Sequence, residues 1–180
     1  MISITEKILN AAENDIRSGG YNNFNFSKLA TSIDTSIEHI ERYFPNKDEL
    51  TVAVVQRYRI GVNDTLAKIS QDYSNIEERL YHYASFFERA ILIDKKICPC
   101  TILGAEIDAL PTAVQVEVKQ FFIDNINWLS EAIFLGEKGA KLNAQQLIAS
   151  LDGAALLSKL LDDPGLITQL VARFTQKSVH

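Results

Sequence analysis

Phe26-Ser27-Lys28-Leu29-Ala30-Thr31-Ser32-Ile33-Asp34-Thr35-Ser36-Ile37-Glu38-His39-Ile40-Glu41-Arg42-Tyr43-Phe44-Pro45-Asn46-Lys47-Asp48-Glu49-Leu50 is the stretch whose reading decides the fold. Ser27 can cap a short helix carrying Leu29, Ala30 and Ile33, because a hydroxyl at that place accepts from the first unpaired backbone N–H groups. Asp34-Thr35-Ser36 then interrupts the apolar spacing. A second short helix, Ile37 to Phe44, stops at Pro45, which lacks an N–H and disfavours helical geometry in the residue before it. Asn46, with Glu49 three residues on, opens a long helix that places Leu50, Val54, Tyr58, Val62, Leu66 and Ile69 on one face and runs to about Ser70. Two short helices joined by a three-residue turn have the spacing of a helix-turn-helix, in which the second helix can enter a DNA major groove.

Working outward, residues 4–18 form a supporting helix with the stripe Ile4, Ile8, Leu9, Ala11, Ala12 and Ile16; Ser3 and Glu6 have capping-box spacing and Gly19-Gly20 supplies the stop. Downstream, apolar residues recur at three and four rather than at two. The spacing predicts helices over Ile76 to Ile93, Thr101 to Ala109, Ala113 to Leu135 behind Pro111, a segment capped by Asn143 with Gln146, and a last one starting at Asp163-Pro164. Gly136 and Gly139 break the chain between two of them. The fold class is therefore all-α: an N-terminal three-helix domain over residues 1–58 and a helical bundle over residues 59–180.

The residues themselves now carry a resemblance. Ile8-Leu9, Ala11-Ala12, Gly20-Tyr21, Phe26-Ser27, Leu29-Ala30, Ser36 and above all Tyr43-Phe44-Pro45-Asn46-Lys47-Asp48-Glu49-Leu50 resemble the N-terminal domain of the tetracycline-repressor (TetR) family of transcriptional regulators. Cys98-Pro99, Ala105-Glu106, the Pro111 helix and Leu151-Asp152-Gly153-Ala154-Ala155-Leu156-Leu157 resemble the regulatory domain of its ligand-sensing members more weakly. The resemblance implies a ligand-responsive transcriptional regulator, a repressor, that binds a double-stranded DNA operator as a homodimer and answers to a small organic effector. Carried over onto this chain, Thr35, Ser36, Ile37, Glu38, His39, Arg42 and Tyr43 would face DNA, with Lys28 and Lys47 near phosphates. Where the family has a glycine in the turn this chain has Asp34, and Glu38 and Glu41 stand where a small residue and a tyrosine are usual. An alternative is a dimeric ligand-binding or interaction protein of the same fold with weakened or lost DNA binding.

Charge bears on that choice. The whole chain holds 18 lysines and arginines against 23 acids, a net charge of -5. Within residues 1–50, five cations (Lys7, Arg17, Lys28, Arg42, Lys47) face eight carboxylates, a local net charge of -3. DNA affinity rests largely on cations that neutralise phosphates, so this domain must work with few.

Beyond the turn, a helix apolar nearly all round needs cover on two sides, and a second copy of the chain can supply one of them. That reasoning selects Leu147, Leu151, Ala154, Leu157, Leu161, Ile167, Leu170 and Phe174 as the homodimer interface. The effector pocket is expected among the aromatics of the bundle, Phe86, Phe87, Phe122 and Trp128, with His82, Tyr83, Cys100 and Asn125 as polar anchors. Tyr21, Phe24, Phe26, Leu29, Ile33, Ile40 and Phe44 are read as core. Cys98 and Cys100 are too few for a disulfide framework or a zinc site and read best as two thiols at a helix start, with a redox role as the sharper alternative if Lys95 and Lys96 lower a thiol pKa. No phosphate loop, zinc-protease motif or nucleophile elbow occurs, so neither an enzyme, a cofactor nor a metal is expected. No apolar run approaches membrane-spanning length and the first residues carry no signal-peptide pattern, so a cytoplasmic protein without a membrane partner is expected.

Overall fold

A computed structural model describes residues 2–176, with side chains described as far as Arg173. All of the regular structure among these residues is helical: α1 (Ile4–Gly19), α2 (Phe26–Ser32), α3 (Ile37–Glu41), α4 (Lys47–Asp72), α5 (Ile76–Leu92), α6 (Pro99–Ala105), α7 (Thr112–Ala132), α8 (Ala140–Leu160) and α9 (Gly165–Gln176), with single 3-10 turns at Tyr21–Asn23 and Ile107–Ala109. No helix among them is long and apolar enough to cross a membrane.

Local signals explain most of the boundaries. The Ser3 hydroxyl accepts from the Glu6 N–H at 3.2 Å, and α1 ends where Gly20 takes φ 77°, a conformation that costs glycine little. At α4, Asn46 Oδ1 accepts from the Glu49 N–H while Asn46 Nδ2 donates to Glu49 Oε1, both at 2.9 Å. The last helix starts behind Asp163, whose carboxylate accepts from the Gly165 N–H at 3.0 Å.

Several expected boundaries move: the segment expected over Thr101 to Ala109 is α6, Pro99–Ala105, followed by a 3-10 turn, and the helix expected to reach Leu135 ends at Ala132. Asn25, not Ser27, caps α2: its side chain accepts from the Lys28 N–H at 2.9 Å, which makes Phe26 the first helical residue and leaves Ser27 inside the helix. The helix expected to run to Phe44 ends as α3 at Glu41, because the N–H groups of Tyr43 and Phe44 both turn onto the Ile40 carbonyl and tighten the last turn ahead of Pro45. Asn143 does not cap α8; the helix begins three residues earlier behind Gly139, at φ 87°, and Asn143 donates instead to Glu137 at 2.8 Å.

The chain divides into two compact units. One comprises residues 2–60 together with 99–121, so that α6 and the first half of α7, which lie in the second domain drawn from the sequence, belong to the same unit as α1–α3. Its core includes Ile8, Ile16, Phe24, Leu29, Ile40, Leu50, Val54, Cys100, Leu103 and Val114, all buried. Phe44 is buried as expected, whereas Tyr21, Phe26 and Ile33 are half-buried. Arg57 ties α4 to α1: its guanidinium donates to Glu13 (2.7 Å), Asn10 (2.8 Å) and Glu6 (3.0 Å).

The other unit takes residues 61–98 and 122 onwards, and its core is built from α5, α8 and α9 with the remainder of α4 and α7. Leu66, Leu80, Tyr83, Leu129, Leu147, Leu151 and Ile167 are buried there. One residue that nothing in the periodicity singles out, Arg79, closes two helix ends. Its guanidinium donates to the carbonyls of Tyr73 (2.7 Å), Ser70 (3.2 Å) and Ala132 (3.3 Å).

Candidate nucleic-acid interface

The turn between α2 and α3 is made by one residue. Asp34 adopts φ 53°, in the left-handed region, and the Thr35 N–H bonds back to the Ala30 carbonyl at 2.9 Å. This is the hydrogen bond of a Schellman closure, normally built with glycine; an aspartate tolerates the conformation better than most residues. Ser36 then caps α3 by accepting from the His39 N–H at 3.2 Å. Ile40 faces inward and is fully buried, which turns the opposite side of this short helix to solvent.

That outer side carries Ile37, Glu38, Glu41, Arg42 and Tyr43, all exposed, with His39 half-buried and its ring 5.5 Å from the Tyr43 ring, edge to face. The Arg42 guanidinium makes no ion pair or hydrogen bond among the described residues. A shallow open depression of about 420 Å³ runs beside it, lined by Ser27, Ala30, Thr31, Asp34, Thr35, Ser36, Ile37 and Glu38. Helix α3 therefore presents one free guanidinium, one phenol and a hydroxyl-rich approach, the groups that donate to phosphates and base edges.

The two carboxylates on α3 differ. Glu38 accepts from its own backbone N–H and from the Ser36 hydroxyl, which hold its carboxyl below the usual carboxylate range. It is spent on the start of its own helix. Glu41 is exposed.

Comparison with known proteins agrees with this geometry. Residues 8–54 match the family model described as bacterial regulatory proteins, tetR family. No curated protein matches the chain by sequence. Among solved structures, a TetR transcriptional regulator from Legionella pneumophila superposes with a TM-score of 0.89 at 26% identity, over 100% of this chain and 99% of that one. A TetR-family regulator from Agrobacterium tumefaciens gives 0.90 at 25% identity, over 96% of each chain. Residues 8–54 are thus similar to the tetR family, and the fold of the chain is that of TetR-family regulators. The fold alone is shared more widely: FadR from Bacillus subtilis, solved in complex with stearoyl-CoA, gives 0.76 at 15% identity over 94% of this chain and 95% of that one.

Three other cations of residues 1–50, Lys28, Arg17 and Lys47, have partners within the protein. Lys28 Nζ lies 3.3 Å from an Asp15 carboxylate oxygen and donates to the Asn23 carbonyl at 3.1 Å, and Arg17 lies 4.0 Å from Glu13. Lys47 sits with its ammonium 4.1 Å from the centre of the Tyr21 ring and 5.0 Å from that of Phe24. Burial pulls its pKa down, while the charges of Asp48 and Glu106 act to hold it up.

The second unit brings together part of the set of residues expected to line a pocket. The Tyr83 ring lies 5.6 Å from Trp128, nearly parallel, and 5.5 Å from Phe87; its hydroxyl donates to Asn125 Oδ1 at 3.4 Å. Trp128 Nε1 donates to Ser70 Oγ at 2.9 Å, a polar partner the sequence does not flag. Phe86 packs edge-on against Phe87 at 6.5 Å and is partly exposed; Phe122 is half-buried. His82 stacks on Tyr73 at 4.0 Å, and Cys100 is buried within the other unit. Burial, and then the charges of Asp152 and Cys98, push the Tyr83 phenol well above its ordinary pKa, so it stays a hydrogen-bond donor. Cys98 is half-buried, and neither cysteine is in a disulfide among the described residues.

Of the residues selected for a dimer interface, Leu147, Leu151 and Ile167 are buried inside the protomer, Ala154 and Leu170 are half-buried, and the Phe174 side chain lies outside the described residues. Leu157 and Leu161 are 47% and 62% exposed. Their neighbours Leu156 (53%) and Leu160 (72%) extend the same end of α8 into an apolar surface.

Proposed function

We propose that the chain is a ligand-responsive transcriptional repressor that binds its operator as a homodimer, with residues 1–58 acting on DNA and residues 59–180 on effector and partner subunit. The observation that carries this reading is the outer side of α3, where Arg42 and Tyr43 are solvent-exposed and the Arg42 guanidinium has no partner within the protein among the described residues. Exposed leucines at the end of α8 are the surface on which a second copy would close, setting two recognition helices about 34 Å apart. The Tyr83–Trp128–Asn125 cluster, aromatic with a few polar groups, has the chemistry of a small-organic-molecule site; a protein of the same fold has been solved with stearoyl-CoA. Switching then requires only that the effector favour a half-site separation the operator does not.

The test is selection of genomic fragments with purified protein at low salt, repeated with Arg42→Ala. Enrichment of a palindromic fragment that weakens by about 1–3 kcal/mol in the variant supports the proposal. No enrichment at low salt overturns it and leaves the second reading, a dimeric ligand-binding protein of this fold, which the local net charge of -3 favours.

A further inference from the structure

Glu106 belongs to the segment after α6, 59 residues beyond Lys47 in sequence, yet it lies in the same unit as α1 and the start of α4. Its carboxylate accepts from the Tyr21 backbone N–H at 2.9 Å. The approach is close enough that a Cβ added to the preceding residue, Gly20, would lie 2.1 Å from Glu106 Oε1. Gly20 also sits at φ 77°, so both its conformation and its missing side chain suit this carboxylate.

Tyr21, held from behind at its amide, is held in front as well, because its hydroxyl donates to the Asp48 carboxylate. Between those two anchors its ring is the platform under the Lys47 ammonium at 4.1 Å, with Phe24 completing the aromatic cover at 5.0 Å. A lysine side chain has four rotatable carbon–carbon bonds, and the attraction of a cation to an aromatic face favours one position among many. Where the ring goes, the ammonium follows.

We infer that Glu106 is the positioning residue for Lys47, fixing the phosphate-facing ammonium indirectly by pinning the backbone of Tyr21 on whose ring it rides. The inference rests on the operator-binding reading for its purpose, though not for its geometry. Glu106 touches no DNA in this scheme. Nor is it a lining group of the effector pocket, the other place a glutamate on this short helical segment could face.

Two variants separate the roles of its oxygen and its charge. Glu106→Gln keeps an acceptor for the Tyr21 N–H and loses the charge; Glu106→Met keeps the length and loses both. The direct readout is the upfield ring-current shift of the Lys47 Hε protons, measured by NMR on the full-length protein without DNA. The shift is expected in the parent and in Glu106→Gln and is expected to collapse in Glu106→Met. Retention in Glu106→Met overturns the inference, as does its absence from the parent. A Glu106→Met chain that does not fold leaves Glu106→Gln to decide, since loss of the shift there, with an acceptor still in place, also overturns it.

The second readout uses the fragment enriched by genomic selection. Glu106→Met adds one unit of positive charge overall, which by electrostatics alone would tighten binding. It is instead expected to weaken binding about fivefold and to flatten the slope of log K against log salt by about 0.9, the signature of one lost phosphate contact. Lys47→Ala should then cost nothing further in the Glu106→Met background, while Arg42→Ala should cost the same in both. Additive Lys47 and Glu106 effects overturn the inference. If the ring-current result holds and no DNA fragment binds at any salt, the operator reading fails and the positioning role stands.

Discussion

Replacing Arg79 with methionine tests whether one guanidinium holds the ends of two helices. The carbonyls it reaches are Ser70, in the last turn of α4, Tyr73 just beyond that helix, and Ala132, the last residue of α7. Helix ends leave such carbonyls without intrahelical partners. Hydrogen bonds involving a charged group contribute about 1.5–3 kcal/mol each, but these are part-buried and share one donor, and released carbonyls regain water in part. A net loss of about 2–4 kcal/mol follows for Arg79→Met. Arg79→Lys separates geometry from charge: an ammonium restores the attraction to helix C-termini, about 0.3–1 kcal/mol, but cannot span three carbonyls as a planar fork does. The assay is urea unfolding at fixed protein concentration, followed by fluorescence of Trp128, the sole tryptophan, whose indole donates to Ser70 Oγ beside the same helix end. With a slope near 2 kcal/mol/M the midpoint should fall by about 1–2 M for methionine, with lysine recovering less than half of that. Stability within about 0.5 kcal/mol of the parent for methionine, or full recovery by lysine, would refute the reasoning.

Other predictions follow from single contacts. Asp34→Gly should raise the thermal midpoint by relieving φ 53° at the turn, and Asp34→Ala should lower it by about 1 kcal/mol equivalent, because alanine lacks the polar side chain that eases this conformation; equal midpoints for the two would count against a left-handed turn. The Glu38 carboxyl is held below its usual range in the folded state, so its stabilising effect is present above the unfolded-state pKa and lost as pH falls through the folded one: the stability difference between parent and Glu38→Gln should be visible at pH 7, shrink in acid below the ordinary carboxylate range and weaken with salt. Leu157→Glu combined with Leu160→Glu should shift sedimentation from dimer to monomer at micromolar concentration while the helical circular dichroism signal stays unchanged, since both side chains are exposed in the protomer. A parent protein that sediments as a monomer would refute the homodimer proposal outright.

The helix-turn-helix was legible because its signals act over a few residues. Ser36 caps the helix that follows it, Pro45 ends the segment before it, and Asn46 and Glu49 close on each other, all within three or four positions. Local signals fail where two candidate boundary residues compete nearby, as with Asn25 against Ser27 for α2 and Gly139 against Asn143 for α8. The winner there depends on how the flanking chain enters the helix, which neighbouring packing decides.

The pocket and interface residues were legible as types and only partly as places. Tyr83, Phe87, Asn125 and Trp128 do meet, but His82 turns to Tyr73, a residue nine positions away just beyond the end of α4, and Cys100 belongs to the other unit. An apolar stripe on α8 marks burial without saying by what. Leu147 and Leu151 are covered inside the protomer, while Leu156, Leu157, Leu160 and Leu161 are left outside.

By itself the sequence determined the all-helical class and most of the segmentation into helices, because helix periodicity, capping and proline geometry are short-range properties of the chain, and its resemblance to a family supplied the candidate DNA-facing residues. Only the tertiary structure decided which of those residues are free to act. Lys28 pairs with Asp15, Lys47 rides on Tyr21, Glu38 accepts from its own N–H and from the Ser36 hydroxyl, and the Arg42 side chain is left open to solvent. Charge counting treats these side chains alike. What separates them is the set of partners that folding brings within about 4 Å, and the one that steers Lys47, the Glu106 carboxylate, sits 85 residues from the amide it holds.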